Sequence, residues 1–135
     1  MNRLKEAFGK VMNLIGISSG VSKMNLPVEP RMYVIVREDL AYKYIQGQHA
    51  LAQYGINWPD KFREWNNGYL INLSVFNGLA LEELRLKLRD MPDFPVFGVF
   101  YEPDLQSSLP TAICVFDDGK NGVREHLKGL SLASR

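Results

Sequence analysis

The sequence predicts an α/β protein, a three-layer α/β/α sandwich on a four-stranded mixed sheet whose last strand is antiparallel. Three observations lead there. Short β-branched and aromatic runs alternate with stretches of helical periodicity, and strands joined by helical crossovers pair in parallel with helices on both faces. The third and fourth runs have no helix between them, only EPDLQSSLP, which fits an antiparallel pair. The 135 residues suffice for one domain with a sizeable core and are too few for two.

Residues 1–31 read as an N-terminal amphipathic helix and linker, and residues 32–135 as the α/β domain. Leu4, Ala7, Phe8, Val11, Met12, Leu14 and Ile15 recur at helical spacing, with Arg3, Lys5 and Lys10 on or near the polar side. Packing on its own domain is the favoured expectation for this helix. Docking on a partner or lying on a membrane surface are the alternatives. Asn13 and Gly16 interrupt the apolar centre that a signal peptide needs. Residues 18–31, rich in Ser, Gly, Pro and charge, read as the linker.

MYVIV (32–36) is the first strand, apolar enough to be covered on both faces. Residues 43–54 follow as a helix with Ile45, His49, Ala52 and, more loosely, Leu51 on one side. In WPDKFREWNNG, Pro59 suits a first helical turn, and Trp58, Phe62 and Trp65 form a stripe ended by Asn66, Asn67 and Gly68. YLINLSVF (69–76) is the second strand. Residues 79–90 make a long helix with Leu81, Leu84 and Leu88 inward and Asn77 as its cap. FPVFGVFYE (94–102) and TAICVF (111–116) are the third and fourth strands. A short helix over residues 121–129 carries Val123 and Leu127 before a polar tail.

Composition excludes several classes. Sixteen basic residues against fifteen acidic ones leave a net charge of +1, so no global attraction to nucleic acid follows. Local basic patches are still allowed, with Lys43, Lys61 and Arg63 as candidates. Cys114 is the single cysteine and lies in an apolar run, which suits a buried, inert thiol. No clustered His and Cys spacing suggests zinc, and no apolar run approaches the ~20 residues of a membrane-spanning helix. A cytoplasmic protein without cofactor or membrane span is the default expectation.

In open α/β sheets ligands bind beyond the carboxyl ends of parallel strands. That rule selects Arg37, Glu38 and Asp39 after the first strand, and Tyr101, Glu102, Pro103 and Asp104 after the third. If those strands are neighbours, the two clusters face each other beside the N-terminus of the helix carrying QGQHA. A carboxylate there can serve as a general base, the helix N-terminus with Lys43 can hold a phosphate or oxyanion, or Asp39, Glu102 and Asp104 can share Mg²⁺. Each acidic residue taken alone is more simply a helix cap or a turn residue. His49 is expected as a hydrogen-bonded core histidine that positions the helix, and His126 as a surface residue. No GxSxG elbow is present, and Ser107 and Ser108 have no assigned base, so Ser-His-Asp catalysis has no support.

VIVREDL followed by Gln46, His49 and Ala50 in Gln-x-x-His-Ala spacing resembles the archaeal and eukaryotic type of peptidyl-tRNA hydrolase. YEPDLQSSLPTAICV is similar to that family's Asp-containing loop and the Thr opening its last strand, in the form of a bacterial subgroup. The resemblance spans residues 32 to about 132 and implies the same α/β/α fold. It also implies hydrolysis of the ester between a peptide and the 3′ ribose of tRNA. By the resemblance Thr111 and either Glu102 or Asp104 are catalytic, with Lys43 as the candidate for the family's cation; Arg37, Asp39 and Gln46 are the candidate substrate-binding residues. The family's Lys position is Tyr42 here, with Lys43 one step later, about 100° of helical rotation away. The loop from Asp39 to Gln46 is also shorter, without the family's Gly-rich turn. The implied partner is peptidyl-tRNA through its 3′ end, with a homodimer also open. Two further readings stand beside the hydrolase: a non-catalytic module of the same fold that binds RNA or protein, and a Mg²⁺-dependent phosphoryl or nucleotide enzyme.

Overall fold

The computed structural model describes residues 29–91, 97–105 and 107–135. The N-terminal helix and most of the linker expected from the sequence lie outside them. Strand β1 (Arg31–Arg37) is followed by α1 (Lys43–Asn57), α2 (Pro59–Trp65), β2 (Tyr69–Val75) and α3 (Gly78–Arg89). Then come β3 (Phe97–Phe100), a single 3₁₀ turn (Pro103–Leu105), β4 (Ala112–Asp117), α4 (Val123–Leu127) and β5 (Ser131–Leu132). The predicted three-layer α/β/α arrangement on a mixed sheet is what the chain adopts. Among the described residues the sheet has five strands rather than four, because part of the supposed polar tail pairs with the edge of β2.

The strand order is β3-β4-β1-β2-β5. β1 pairs in parallel with β2, Arg31 opposite Tyr69 through Arg37 opposite Val75, as the intervening helices require. It pairs antiparallel with β4, Met32 opposite Phe116 through Val36 opposite Ala112. β3 is antiparallel to β4, as the short connection predicts. The condition that strands one and three be neighbours is not met: β4 lies between them. Their carboxyl ends nevertheless emerge on the same side of the sheet, because two antiparallel steps restore the direction.

Alternate residues of the central strands fill two cores. On one face Tyr33, Ile35, Leu73, Val75, Ile113 and Val115 meet Leu81, Leu84 and Leu88 of α3 and Val123 and Leu127 of α4. On the other, Met32, Val34, Val36, Ala112, Cys114 and Phe116 meet Ala50 and Tyr54 of α1 and Trp65 of α2. Local signals hold where they are strongest. Asn77 caps α3, its Oδ1 accepting from the Ala80 amide at 2.9 Å. Asn66 and Asn67 stop α2 in the left-handed region, at φ 51° and 55°.

The buried face of α1 differs from the expected one. Gln46, Gly47, Ala50 and Tyr54 face the sheet, while Ile45, His49 and Ala52 are exposed. The expected face followed side-chain hydrophobicity, whereas this helix is positioned by lack of bulk. A Cβ on Gly47 would lie 2.9 Å from Val34 Cγ1 and 3.0 Å from Val36 Cγ1. Gly47→Ala is therefore expected to destabilise the fold by about 1–3 kcal/mol, through forced separation of α1 from β1. Tyr54 is fully buried, and its hydroxyl has no hydrogen-bond partner among the described residues. Removing an unpaired buried hydroxyl relieves its desolvation, so Tyr54→Phe should leave stability unchanged or raise it by about 1 kcal/mol. Urea unfolding measures both, and a clear loss for Tyr54→Phe would show that the hydroxyl is engaged.

Candidate functional site

Gln46 is the first residue of α1 to turn inward, one turn past the helix start, and the close approach at Gly47 carries its amide to the carboxyl end of the sheet. Thr111, immediately before β4 and 1% exposed, donates its hydroxyl hydrogen bond to Gln46 Oε1 at 2.8 Å, with the Phe100 carbonyl as a second acceptor at 3.0 Å. Gln46 Nε2 in turn donates to Glu102 Oε2 at 3.1 Å. The other Glu102 oxygen accepts from the Asp104 amide at 3.3 Å. Residues from α1 and from the segments before β4 and after β3 thus form one continuous relay.

Glu102 is its outermost member. The Gln46 amide, then the Asp104 N–H and, more weakly, His49 hold its carboxyl below the usual carboxylate range. It is ionised at neutral pH and can only accept hydrogen bonds there. The relay opens on a cleft of about 410 Å³ lined by Leu40, Ala41, Tyr42, Gln46, Glu102, Asp104 and Leu105. Tyr42 and Leu105 stand on its wall largely exposed, at 71% and 44%.

The other sequence-predicted residues are placed differently. Arg37 donates to both oxygens of Asp39, at 3.0 and 2.9 Å, and to the Pro110 carbonyl at 3.2 Å. The Arg37 guanidinium holds the Asp39 carboxyl below its usual value. Arg37 is buried against the start of α3, where a Cβ on Gly78 would lie 2.9 Å from its Cζ, so the clip ties the end of β1 to two neighbouring segments. Lys43 does not line the cleft. Its Nζ donates to Glu38 Oε2 and to Ser134 Oγ, each at 2.6 Å, and only 12% of its side chain is exposed. Along α1, Lys43 lies on the side of Gly47 and Ala50, and its ammonium is drawn to Glu38 and Ser134 rather than into the cleft.

His49 is not the expected core histidine. It is exposed, and its ring stacks on Phe100 with centroids 4.7 Å apart and planes 10° apart. Asp39, Glu102 and Asp104 do not form the Mg²⁺ trio: Asp39 is committed to Arg37, and no group of three His, Cys, Asp or Glu side chains suited to a metal occurs among the described residues. Cys114 is fully buried, and burial pushes its thiol pKa well up. Sequence reasoning missed the partnership of Glu38 and Ser134, which are 96 positions apart, a separation that leaves no local signal.

No family model and no curated protein matches the chain. Among solved structures it is similar to Atu0240, a protein of unknown function from Agrobacterium tumefaciens strain C58, with a TM-score of 0.52 and 12% identity. The match covers 80% of this chain and 100% of that one, and at such identity it shows the fold alone. No helix among the described residues is long and apolar enough to cross a membrane.

Two outcomes follow from these placements. His49→Ala should cost only about 0.5–1.5 kcal/mol, the worth of a ring contact at the surface; a larger loss in urea unfolding would mean a buried role. Glu38 is held at a pKa of about 2, first by Lys43 and then by the Ser134 amide and hydroxyl. A carboxylate with a depressed folded pKa contributes stability that is complete above its ordinary value, 4.5 here, and is lost as pH falls towards the folded value. The Ser134 amide resonance should accordingly keep its position down to pH 4.5 and move only as pH approaches about 2.

Proposed function

We propose that the cleft is a hydrolytic site of the peptidyl-tRNA hydrolase kind, acting on the ester between a peptide and the 3′ ribose of tRNA. The observation that carries this reading is the relay from Thr111 through Gln46 to Glu102, which ends in a fixed, ionised carboxylate at the wall of an open cleft. Glu102 takes a proton from water as the water oxygen bonds to the ester carbonyl carbon. The tetrahedral intermediate then expels the 3′ oxygen, which recovers that proton, and peptide acid and tRNA hydroxyl leave. Thr111 and Gln46 keep the carboxylate turned to the water. Asp104 supplies the backbone N–H that anchors its second oxygen, and Tyr42 and Leu105 offer contact area to the terminal nucleoside.

One observation favours a second reading. Lys43, one step past the position of the family's Lys, is held by Glu38 and Ser134 outside the cleft. A fold that keeps the cleft without a free cation suits a non-catalytic module holding an RNA or protein partner.

The two readings separate in an assay of peptide release from N-blocked aminoacyl-tRNA. The hydrolase reading expects metal-independent cleavage that falls about 10²–10⁴-fold in Glu102→Gln. Thr111→Val should cost about five- to tenfold, the worth of one hydrogen bond in the relay. Because Glu102 must be ionised and its pKa is lowered, the rate should decline only below the ordinary carboxylate value of 4.5. Absence of cleavage by folded protein would leave the binding module as the better reading.

A further inference from the structure

We infer that residues 131–134 are a strap that withholds the Lys43 ammonium from the cleft, and that displacing the strap delivers it there. The inference deepens the hydrolytic reading by naming a regulation of the same site. Only the use made of the freed cation rests on that reading.

The strap is thin and anchored at one end. β5 contributes two residues, Ser74 opposite Ser131 and Leu73 opposite Leu132, at the outer edge of the sheet. Ser131, Leu132 and Ser134 are exposed, Leu132 at 73%, and only the small Ala133 side chain packs against the core, so little apolar burial resists the strap's departure. One backbone bond follows, from the Ala133 amide to the Asn72 carbonyl at 2.9 Å. Ser134 is the anchor. Its amide and hydroxyl donate to the two Glu38 oxygens at 2.9 and 2.6 Å, its carbonyl accepts from the Tyr44 hydroxyl, and its Oγ accepts from Lys43. Lys43, Glu38 and Ser134 close a triangle in which every polar atom has a partner.

What the strap holds is a lysine at the start of the helix that carries the relay's Gln46. Lys43 follows the cleft residue Tyr42 and precedes Gln46 by three, a spacing at which helix side chains are neighbours. Its flexible four-carbon stem can swing from one side of the helix start to the other. While it is strapped, the charged groups lining the cleft are the carboxylates of Glu102 and Asp104, and Arg37 is occupied by Asp39. Among the described residues, a developing oxyanion in the cleft then has no free cation in the cleft lining. Freed, Lys43 finds those carboxylates and supplies the missing charge.

The test reads Lys43 directly and needs no turnover. Intact protein is treated with an amine-acylating reagent, and modification is followed by mass spectrometry with the half-exposed Lys61 as internal reference. Lys43 should react at least about tenfold more slowly than Lys61, and Ala133→Pro, which removes the strap's backbone donor, should close most of that gap. A zero-length carbodiimide should couple Lys43 to Glu38 in the wild type, and to Glu102 or Asp104 in E38Q/S134A. Equal acylation of Lys43 and Lys61 in the wild type overturns the strap without reliance on any variant. So does coupling of Lys43 to neither cleft carboxylate in a double variant shown folded by its thermal transition. Peptide release from N-blocked aminoacyl-tRNA by the same variants is a separate readout. Faster release in Ala133→Pro supports both inferences, whereas Lys43 delivery without release in any form sinks the hydrolase reading and leaves the strap standing.

Discussion

The contact between Gly47 and the valines of β1 governs the layout of the whole site. Two methyl groups, Val34 Cγ1 and Val36 Cγ1, stand where a Cβ on residue 47 would go, and this lets α1 settle directly on the sheet. Gln46, the preceding residue, is then carried down to the sheet end, where its side chain spans from Thr111 to Glu102. With a bulkier residue at 47 the helix would ride higher and the amide would no longer bridge its two partners. The order β3-β4-β1 matters equally. Because β4 is interposed, the start of β4 and the end of β3 are adjacent, and one helix residue can reach both.

Around the end of β1, charge is paired off. Arg37 meets Asp39 and Lys43 meets Glu38, so the cluster after β1 neutralises itself although the sequence offers it as a binding surface. These pairs work mainly as geometry. The Arg37 fork ties the turn after β1 to the Pro110 carbonyl ahead of β4, and Glu38 ties the same turn to Ser134. The consequence for chemistry is a cleft whose described lining charge is anionic, with the Lys43 ammonium committed elsewhere.

The layered fold was legible because its signals are local. β-branched runs, the Asn77 cap and the consecutive asparagines at 66 and 67 each act within a few residues of themselves. The site was legible in composition and less so in arrangement. Glu102, Asp104, Gln46 and Thr111 were named from the sequence, and the relay joins Glu102, Gln46 and Thr111, with Asp104 donating its amide to Glu102. The orientation of α1 was not legible, since hydrophobic periodicity scores Ile45 and Ala52 above Gly47, while close packing rewards the absence of a side chain. The strand β5, missed in the sequence, has the same explanation from the other direction. Ser131 and Leu132 carry no β pattern of their own and are strand only because the edge of β2 is available to them. The latch on Lys43 depends on a residue 91 positions away, which no window of sequence contains.

The polarity of the relay follows from counting protons. The Thr111 hydroxyl has one to give and two carbonyl-type acceptors within reach, Gln46 Oε1 and the Phe100 oxygen. The Phe100 oxygen also accepts from the Thr111 amide at 2.8 Å, so it is satisfied whichever way the hydroxyl turns. With Glu102 ionised, the Gln46 amide must present Nε2 to it, because the reverse orientation would set Oε1 against a carboxylate oxygen. That leaves Oε1 facing Thr111 and draws the hydroxyl proton towards it. The charge on Glu102 and the direction of the Gln46 amide therefore sustain each other, and Thr111 contributes by being able to donate inward. Valine at 111 would keep the shape and lose this directional bond. The Gln46 amide would then lose the partner that fixes its direction towards Glu102, which is why the relay, more than any single acidic residue, defines the cleft.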